Sequence, residues 1–347
     1  MNKKVLLGMS GGVDSSVSAV LLKERGYDVT GVTLNLFPCT SCCSYIDVKS
    51  LCRRIGVEHY ILDGKDDFKK YVIDDFIQSY DNCLTPNPCI ECNKYMKFGY
   101  MYKKAKELGC DYVATGHYAK VEYDEKYGKF VLRKSHAGRK DQSYVLWNIP
   151  KNMLEHVIFP LADFESKEKI REIAREHELP VANKPDSEDI CFIQDGDYKK
   201  FLEENSHIKP KPGNIILANG TVVGKHTGLY HYTIGQRKGL GISYKVPLFV
   251  IGFNKKNNEL IVGEEHELYK KEVTIKDINL LLVDDIYKPL RVSVKTRYSS
   301  KEAGATATQI DNNTIKIVFD EPQARITPGQ SAVMYIDDIV VGGGKII

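Results

Sequence analysis

This 347-residue chain lacks several sequence features that would assign it to a particular class of protein. No apolar run is long enough to span a membrane, and no signal peptide precedes the first predicted strand, so we expect a cytoplasmic protein. The formal net charge is only +3, and such a weak excess neither requires nor excludes a nucleic-acid partner. The sequence also has no internal repeat and no low-complexity segment. With 42% hydrophobic residues, the chain has enough apolar side chains for the cores of two or three domains.

The two best-known phosphate-binding motifs are missing as well, yet a different glycine-rich segment stands near the N-terminus. Residues 10–16 read SGGVDSS, without the Lys-Ser/Thr pair of a Walker loop and without the Gly-x-Gly-x-x-Gly spacing of dinucleotide folds. They lie between a predicted buried strand and a helix predicted to start near Asp14. Glycines let a ligand approach the main chain closely, serine hydroxyls can donate hydrogen bonds, and a helix N-terminus attracts anions. The segment therefore predicts a phosphate-binding turn, with an ordinary glycine-rich turn as the alternative.

The order of predicted elements indicates an α/β N-terminal half and an all-β C-terminal half. Strands are predicted at residues 5–7, 29–36, 60–62 and 112–114, and helices at residues 44–54, 66–80, 94–108 and 166–177. Alternating strands and helices imply a parallel sheet covered on both faces, with ligands bound at the carboxyl ends of the strands. A hairpin is predicted between residues 119–122 and 130–132. After residue 213 short strands dominate, which predicts a small central β-rich module and then a β-barrel.

Nine cysteines are the least ordinary part of the composition. An odd number in a chain of this size does not suggest disulfide staples, so clustered cysteines indicate metal, redox or sulfur chemistry. Cys52 and Cys110 are expected to fill cores. The other cysteines form one cluster at Cys39, Cys42 and Cys43, a second at Cys83, Cys89 and Cys92, and a separate position at Cys191. A structural metal site and an unpaired loop are both compatible with the first cluster.

The second cluster belongs to the segment TPNPCIECN at residues 85–93. Two prolines stiffen this loop before a predicted helix, which places Cys92 at or near the helix N-terminus, where the dipole lowers the pKa of a thiol. A Cys-x-x-Cys pair alone is compatible with a redox pair, half of a zinc site, part of an iron–sulfur site or two structural cysteines. Cys191 has acidic neighbours that would raise the pKa of its thiol, and it could equally be a buried cysteine beside Ile190 and Phe192.

Seven segments of the chain occur in the same order in one family, the tRNA-uridine 2-sulfurtransferases (tRNA-specific 2-thiouridylases, MnmA/TrmU). These segments are SGGVDSS, TPNPCIECN, ATGHYAK, KDQSYVL, SEDICFI, GKHTGLYHYTIGQRKGL and RITPGQ. The resemblance runs from Gly8 to Gln330. It implies an N-type ATP pyrophosphatase (PP-loop) domain over residues 1–205, a central domain over residues 206–268 and a tRNA-contacting β-barrel over residues 269–347.

The resemblance further implies a two-step reaction that uses ATP, Mg²⁺ and tRNA. The O2 atom of the wobble uridine, in tRNAs for Lys, Glu and Gln, is adenylated with release of pyrophosphate. A cysteine persulfide then delivers sulfur to C2 with release of AMP. Cys191 would carry the persulfide, received from a donor protein such as a desulfurase or a relay. Cys92 would be the partner thiol that attacks this persulfide, freeing sulfide or leaving a Cys92–Cys191 disulfide. Mg²⁺ is expected because the charge of pyrophosphate must be neutralised.

Binding residues are implied by the same resemblance. ATP would contact Gly8, Met9, Ser10, Gly11, Gly12, Val13, Asp14, Ser15, Leu34 and Gly116. The target base, flipped out of its stack, would face Asn87, Pro88 and Cys89. The tRNA would contact His117, Lys140, Asp141, Gln142, Arg297, Tyr298 and Gln330. Arg297 and Tyr298 suit this role, because a guanidinium binds phosphate and an aromatic ring stacks on an unstacked base.

Two positions depart from the family pattern. Leu34 stands where relatives often have Met, a change compatible with an apolar contact to adenine. Cys89 stands where many relatives have an Asp to which acid/base work is assigned. Two mechanisms therefore remain open: persulfide chemistry at Cys92 and Cys191, which we favour, or a [4Fe–4S] cluster held by Cys89, Cys92 and Cys191.

Two other classes of function remain as alternatives. A small-molecule ligase of the same ATP pyrophosphatase superfamily would use ATP but would need no reactive thiol, which leaves TPNPCIECN and SEDICFI unexplained. A cysteine-rich metal- or RNA-binding protein would have no use for SGGVDSS. Release of pyrophosphate on addition of a tRNA transcript separates these classes.

Overall fold

The structure is a computed structural model that describes residues 2–37, 45–185, 189–193 and 195–347. The predictions for Cys39, Cys42 and Cys43 and for a helix start at Ser44 lie outside these ranges, as do two acidic neighbours of Cys191. Within them the chain forms a parallel sheet with helices, a small β-rich module and a closed barrel. The predicted fold class is therefore confirmed. No helix in the described ranges is long and apolar enough to cross a membrane.

The N-terminal part is built on a five-stranded parallel sheet. Its strands and those of the adjoining hairpin are β1 (Lys4–Gly8), β2 (Asp28–Asn35), β3 (Glu58–Asp63), β4 (Tyr112–Ala114), β5 (Ala119–Asp124), β6 (Lys129–Lys134) and β7 (Val157–Ile158). The order in the sheet is β3-β2-β1-β4-β7, with β1 at the centre. Val5, Leu6 and Leu7 are fully buried, as their apolar run predicts. Because β1 and β4 are parallel neighbours, the segments that follow them meet at one edge of the sheet.

Helices pack on this sheet and beside it. They are α1 (Val13–Glu24), α2 (Tyr45–Ile55), α3 (Lys65–Phe68), α4 (Asp74–Asp81), α5 (Pro88–Glu91), α6 (Met101–Glu107), α7 (Lys167–Glu176) and α8 (Tyr198–Asn205). Pi-helical segments join α3 to α4 over Lys69–Ile73 and α5 to α6 over Cys92–Tyr100. Short 3-10 helices lie at Gly138–Lys140, Ser143–Leu146, Lys151–His156, Leu229–His231 and Glu265–Leu268.

One predicted helix begins earlier than expected. The sequence predicts a helix from residue 94, but the helix starts at Pro88, with Asn87 at its N-cap. Proline is favourable at this first position because its φ angle suits a helix and its missing N–H would have no intrahelical partner there. Pro88 therefore starts the helix, whereas Pro86 lies in the loop before the N-cap. Cys89 lies in the first turn, whereas Cys92 lies beyond it.

The C-terminal half consists of two β structures. The central module contains β8 (Gly213–Leu217), β9 (Val222–His226), β10 (Phe249–Asn254) and β11 (Glu259–Gly263). The barrel contains β12 (Tyr269–Leu280), β13 (Leu290–Lys295), β14 (Ala303–Asp311), β15 (Thr314–Ala324), β16 (Ser331–Ile336) and β17 (Ile339–Ile346). The module has the strand order β10-β11-β8-β9, and pairing of β12 with β17 closes the barrel.

The predicted hairpin connects the two halves of the molecule. Strands β5 and β6 form it, and β6 also pairs with β17 of the barrel, at Arg133 and Ile339. Trp147, which follows the hairpin, is completely buried, and its ring lies against Gly343 of β17. The barrel is thus joined to the N-terminal part by strand pairing and apolar packing. The domain boundaries at residues 205/206 and 268/269 stay predictions; α8 ends at Asn205 and β12 begins at Tyr269.

Candidate active site

The predicted phosphate-binding turn lies directly after β1; residues 8–16 are called the phosphate loop here. Gly11 has a φ angle of +72°, a conformation that glycine adopts without strain. The hydroxyls of Ser15 and Ser16 donate to the carbonyl oxygen of Gly12, over 3.1 and 2.8 Å, and Oγ of Ser10 lies 3.2 Å from Oγ of Ser15. These hydroxyls therefore fix the loop itself, so its shape is set before any ligand arrives.

The segment after β4 presses against the phosphate loop at Gly116. A Cβ atom at this position would lie 2.9 Å from the carbonyl carbon of Asp14 and from the nitrogen of Ser15. Only glycine fits so close to the first turn of α1. The phosphate loop, with Gly116 packed against it, suits the close approach to the main chain that a nucleotide phosphate needs.

The side chains of the other residues predicted to contact ATP differ in how far a ligand can reach them. Met9 and Val13 are 2% and 4% exposed, so their side chains belong to the core and only their main chain is available to a ligand. Leu34, in β2 next to Leu62 of β3, is half-buried and packs against two apolar clusters. An apolar surface is thus present where adenine was predicted.

Two lysines that the sequence analysis did not identify reach the phosphate loop. The Asp14 carboxylate accepts hydrogen bonds from the Tyr118 hydroxyl, over 2.7 Å, and from Nζ of Lys167, over 2.8 Å. Nζ of Lys184 donates to the carbonyl oxygen of Gly11 over 3.0 Å. Both lysines lie more than 150 residues along the chain from the loop, and in sequence they look like ordinary surface charges.

The three predicted thiols come together, although their segments lie about 100 residues apart. Cys92 is buried, whereas Cys89 and Cys191 are exposed. Although the Cys191 residue is exposed, desolvation of its sulfur is the main cause that raises the pKa of this thiol to about 12; the neighbouring thiols of Cys92 and then Cys89 act in the same direction, and Lys97 opposes them. Phe192 and Ile193, which follow Cys191, pack in one apolar cluster with Cys92, so the three thiols are described together as the thiol site below.

The predicted lowering of the pKa of Cys92 by the helix dipole is wrong. Burial raises the pKa of this thiol to about 11, and only Lys97 acts in the lowering direction. The reason is that Cys92 lies beyond the first helical turn, where the dipole effect has faded, while desolvation disfavours the thiolate. The Cys92 thiol is therefore protonated at neutral pH.

Lys97 and His117 connect the thiol site to the phosphate loop. Nζ of Lys97 lies 3.3 Å from Nε2 of His117, and Nδ1 of His117 lies 2.7 Å from the Thr115 hydroxyl. Burial, and then the charge of Lys97, lower the pKa of His117 well below its ordinary value, so the imidazole is neutral. Lys97 was missed by the sequence analysis; its only signal is its place one helical turn or so after Cys92. The assignment of the buried His117 to tRNA binding stays a prediction.

The residues predicted to contact tRNA near β6 surround the same region. Lys140 is exposed. Asp141 accepts hydrogen bonds from the Ser135 amide, over 2.9 Å, and the Ser143 hydroxyl, over 2.7 Å; burial raises the pKa of its carboxyl. The side-chain oxygen of Gln142 accepts from the Tyr118 amide over 3.0 Å. Asp141 and Gln142 therefore shape this segment from within, beside the exposed Lys140.

The barrel contributes Tyr298, which lies near the thiol site. Its side chain is 39% exposed, and its ring meets that of Tyr144 edge-on at 6.2 Å. Burial raises the pKa of Tyr298, with further contributions from Asp141, which raises it, Lys140, which lowers it, and Cys89, which raises it. An exposed ring thus stands beside the predicted base-binding loop.

Arg297 is engaged inside the protein. It donates to the carbonyl oxygen of Ile234 over 3.0 Å and to the hydroxyl of Thr327, and burial lowers the pKa of its guanidinium. Because Ile234 belongs to the central module, this side chain ties that module to the barrel. Its predicted contact with tRNA stays a prediction.

Gln330 and Lys345 fasten the thiol-bearing loop to the barrel. The Gln330 amide donates to the carbonyl oxygens of Thr85 and Pro86, over 2.8 and 3.1 Å. Nζ of Lys345 lies 2.9 Å from the buried carboxylate of Glu91, between Cys89 and Cys92, and 3.3 Å from Asp75. The barrel therefore holds the segment that carries two of the three thiols.

Comparison with known proteins covers the whole chain. Three family models match consecutive parts of it: a tRNA methyl transferase HUP domain at residues 3–195, a tRNA methyl transferase PRC-barrel domain at residues 199–264 and an aminomethyltransferase β-barrel domain at residues 270–346. A tRNA-specific 2-thiouridylase MnmA of Clostridioides difficile is 49% identical over 356 residues, covering 100% of this chain and 98% of that protein. The chain belongs to the tRNA-specific 2-thiouridylase family.

A second relative in the thiouridylase family, from Acetivibrio thermocellus, is 46% identical over 99% of both chains. Among solved structures, a 4-thiouridine synthetase–RNA complex with bound ATP is 22% identical, with a TM-score of 0.38, over 58% of this chain and 50% of that chain. Full-length membership confirms the resemblance that the seven segments indicated. It leaves the small-molecule ligase and the cysteine-rich binding protein without support.

The cluster mechanism predicts that Cys89, Cys92 and Cys191 bind a metal cluster in this member of the thiouridylase family. Across the described ranges, no group of three or more His, Cys, Asp or Glu side chains is arranged to hold a metal ion. A [4Fe–4S] cluster ordinarily takes four cysteines. The [4Fe–4S] cluster at Cys89, Cys92 and Cys191 stays an alternative to persulfide chemistry.

Proposed function

We propose that this chain is an ATP-dependent tRNA-uridine 2-sulfurtransferase that forms 2-thiouridine at the wobble position of tRNAs for Lys, Glu and Gln. The observation that carries the proposal is the short segment of residues 115–117. It touches the phosphate loop through Gly116 and reaches Lys97, beside the thiols, through His117. The phosphate loop, for activation by ATP, and the thiol site, for transfer of sulfur, thus adjoin each other in one active site.

The phosphate loop serves the first step, in which uridine O2 attacks the α-phosphate of ATP and pyrophosphate leaves. The N–H groups at the start of α1 and the tight approach of Gly116 suit the phosphates. Leu34 offers an apolar contact to adenine. Mg²⁺ bound together with the phosphates would neutralise charge on the leaving pyrophosphate.

The thiol site serves the second step. A donor protein, a desulfurase or a relay, transfers sulfur to Cys191, which then carries a persulfide. The terminal sulfur attacks C2 of the adenylated uridine, and AMP leaves with the electrons of the C2–O bond. The Cys92 sulfur then attacks Sγ of Cys191 while its thiol proton passes to the leaving 2-thiouridine, so the S–S bond of the adduct breaks, 2-thiouridine is released and a Cys92–Cys191 disulfide forms. A cellular thiol reductant must reduce this disulfide before the next turnover.

Cys89 borders the target base in this proposal, together with Asn87 and Pro88. The loop that carries them opens α5, and Cys89 lies near enough to Tyr298 of the barrel to influence the pKa of its phenol; a flipped base can stack on this exposed ring. Lys140 supplies an exposed charge for the tRNA backbone. His117, Asp141, Gln142, Arg297 and Gln330 would act here by shaping the surface that meets tRNA. We place the reaction in the cytoplasm.

The test is reconstitution with purified protein, an unmodified tRNA transcript, MgATP and a persulfide donor. We expect pyrophosphate release that depends on tRNA, together with 2-thiouridine at the wobble position in nuclease digests examined by mass spectrometry. Pyrophosphate release without tRNA but with a small acceptor would instead indicate a ligase.

Iron and acid-labile sulfide analysis of anaerobically purified protein tests the cluster mechanism, which predicts a stoichiometric cluster that Cys89→Ser loses together with activity.

A further inference from the structure

The phosphate loop has a charge requirement that its own sequence does not meet. SGGVDSS supplies main-chain N–H groups and hydroxyls, but its one ionisable residue is Asp14, which is negative. The leaving pyrophosphate gains negative charge as the bond to the α-phosphate breaks. Fixed positive groups aimed at that charge stabilise such a transition state.

Two ammonium groups reach the loop from elsewhere in the chain. Lys167 is the first residue of α7, which packs against α1, and its Nζ lies 2.8 Å from Asp14 Oδ2. Nζ of Lys184 lies 3.0 Å from the carbonyl oxygen of Gly11. Lys184 therefore contacts the glycine turn itself and Lys167 contacts the first turn of α1, both beside the residues predicted to bind the phosphates.

Arg171, one turn along α7 from Lys167, fixes the position of the second lysine. Its guanidinium donates to the carbonyl oxygens of Ala182, over 2.6 Å, and Lys184, over 2.9 Å. One helix thus delivers the first lysine directly and holds the segment that delivers the second. The Lys167 side chain is 16% exposed, which strengthens its electrostatic effect relative to a solvated lysine.

We propose that Lys167 and Lys184 bind the β- and γ-phosphates of ATP and stabilise the pyrophosphate that leaves. In this arrangement Asp14 and Tyr118 orient Lys167, and Arg171 orients Lys184. An ammonium group has three N–H donors and can bond a carboxylate or carbonyl and a phosphate oxygen together. The inference rests on the proposed use of ATP and adds residues to that binding site.

The experiment compares the binding of MgATP and AMP to Lys167→Met and Lys184→Met by calorimetry. Because a charged hydrogen bond contributes strongly, each substitution should weaken MgATP binding roughly tenfold or more, while AMP, which lacks the β- and γ-phosphates, should be affected less than about twofold. Lys184→Arg should retain most of the MgATP affinity. Lys169→Met is the matched control, since Lys169 lies on α7 in an exposed pair with Glu165.

The outcomes separate this inference from the proposed function. Unchanged MgATP affinity in both variants, or an equal loss for MgATP and AMP, would overturn the lysine pair; an equal loss would mean that the whole loop had collapsed. If the unaltered protein releases pyrophosphate with tRNA while the variants bind MgATP normally, only the lysine pair fails. If the unaltered protein neither binds MgATP nor releases pyrophosphate with tRNA, the proposed function fails first.

Discussion

The phosphate loop and the thiol site are assembled in different ways. The phosphate loop owes its shape to contacts within a few residues, such as the bonds from Ser15 and Ser16 to Gly12. The thiol site joins Cys89 and Cys92 to Cys191, and the barrel residues Gln330 and Lys345 hold its main loop. The first can be read from one motif, whereas the second combines two distant segments and is held by contacts with the barrel.

The difference implies that changes in the barrel should reduce sulfur transfer more than they reduce activation of the uridine by ATP. Gly329, with a φ angle of +91°, packs so closely that a Cβ would lie 2.7 Å from the nitrogen of Thr85. The Thr85 amide also donates to Pro328 over 2.9 Å. Thus the barrel touches the thiol-bearing segment at main-chain level, and the phosphate loop has its own local support.

The largest effect should come from Cys191→Ser. We expect the yield of 2-thiouridine from a persulfide donor to fall about 1,000-fold or more, because the sulfur carrier is lost, while tRNA-dependent pyrophosphate release persists. Nucleoside mass spectrometry and a pyrophosphate assay on one sample give both readouts. Cys83→Ser is the control. Thiolation by the variant with sulfide excluded would show that another cysteine carries the sulfur.

Gly116→Ala should break the phosphate loop and spare the thiol site. Its new Cβ would lie 2.9 Å from the main chain of Asp14 and Ser15, so the loop must move, and pyrophosphate release should fall about 100-fold. Gly252→Ala, whose Cβ would meet nothing closer than 3.7 Å, is the matched control. Normal pyrophosphate release by Gly116→Ala would contradict the close packing as a requirement for activation.

Lys345→Met tests the attachment of the thiol site to the barrel. It leaves the Glu91 carboxylate, whose side chain is 7% exposed, without its cation, which should cost about 2 kcal/mol in the free energy of unfolding and reduce thiolation more than pyrophosphate release. Urea unfolding and the two activity readouts measure this. Lys316→Met, which breaks an exposed pair with Glu272, should cost less than about 1 kcal/mol. Equal stabilities of the two variants would argue against the attachment.

The pH dependence of alkylation should distinguish Cys92 from an ordinary thiol. Since burial raises its pKa to about 11, the thiolate fraction should still rise about tenfold per pH unit between pH 7 and 9, with no plateau. Lys97→Met removes the charge that lowers this pKa, so alkylation of Cys92 should slow further. Peptide mass spectrometry after iodoacetamide treatment follows the reaction. A plateau below pH 9 would show that the thiol is activated before tRNA binds.

The smallest effects concern individual tRNA contacts. Lys140→Ala should lower the log–log salt slope of tRNA binding by roughly 0.7 to 0.9, as expected for loss of one phosphate contact. Arg297→Ala should change the slope less, because its guanidinium bonds to Ile234 and Thr327 within the protein. Filter binding at several salt concentrations measures both, with exposed Lys256→Ala as control. If only Arg297→Ala lowered the salt slope by a full unit, Arg297 rather than Lys140 would be the residue that contacts a phosphate.

The sequence by itself determined the features that depend on neighbouring residues. The apolar run of β1, the glycine and hydroxyl pattern after it and the start of α1 interact within a short span, so their arrangement follows from local geometry. Alternation of strands and helices was sufficient to predict the parallel sheet. The turn-separated strands of the C-terminal half were sufficient to predict the β module and the barrel.

Only the tertiary structure decided the electrostatics and the connections between distant segments. The pKa of Cys92 depends on burial by elements that no local pattern reveals, and desolvation there outweighs the helix dipole. Lys167 and Lys184 meet the phosphate loop only because α7 packs against α1. Lys345 meets Glu91 only because the barrel docks on α5. Contacts of this kind depend on three-dimensional packing, which brings together charges separated by more than 150 residues.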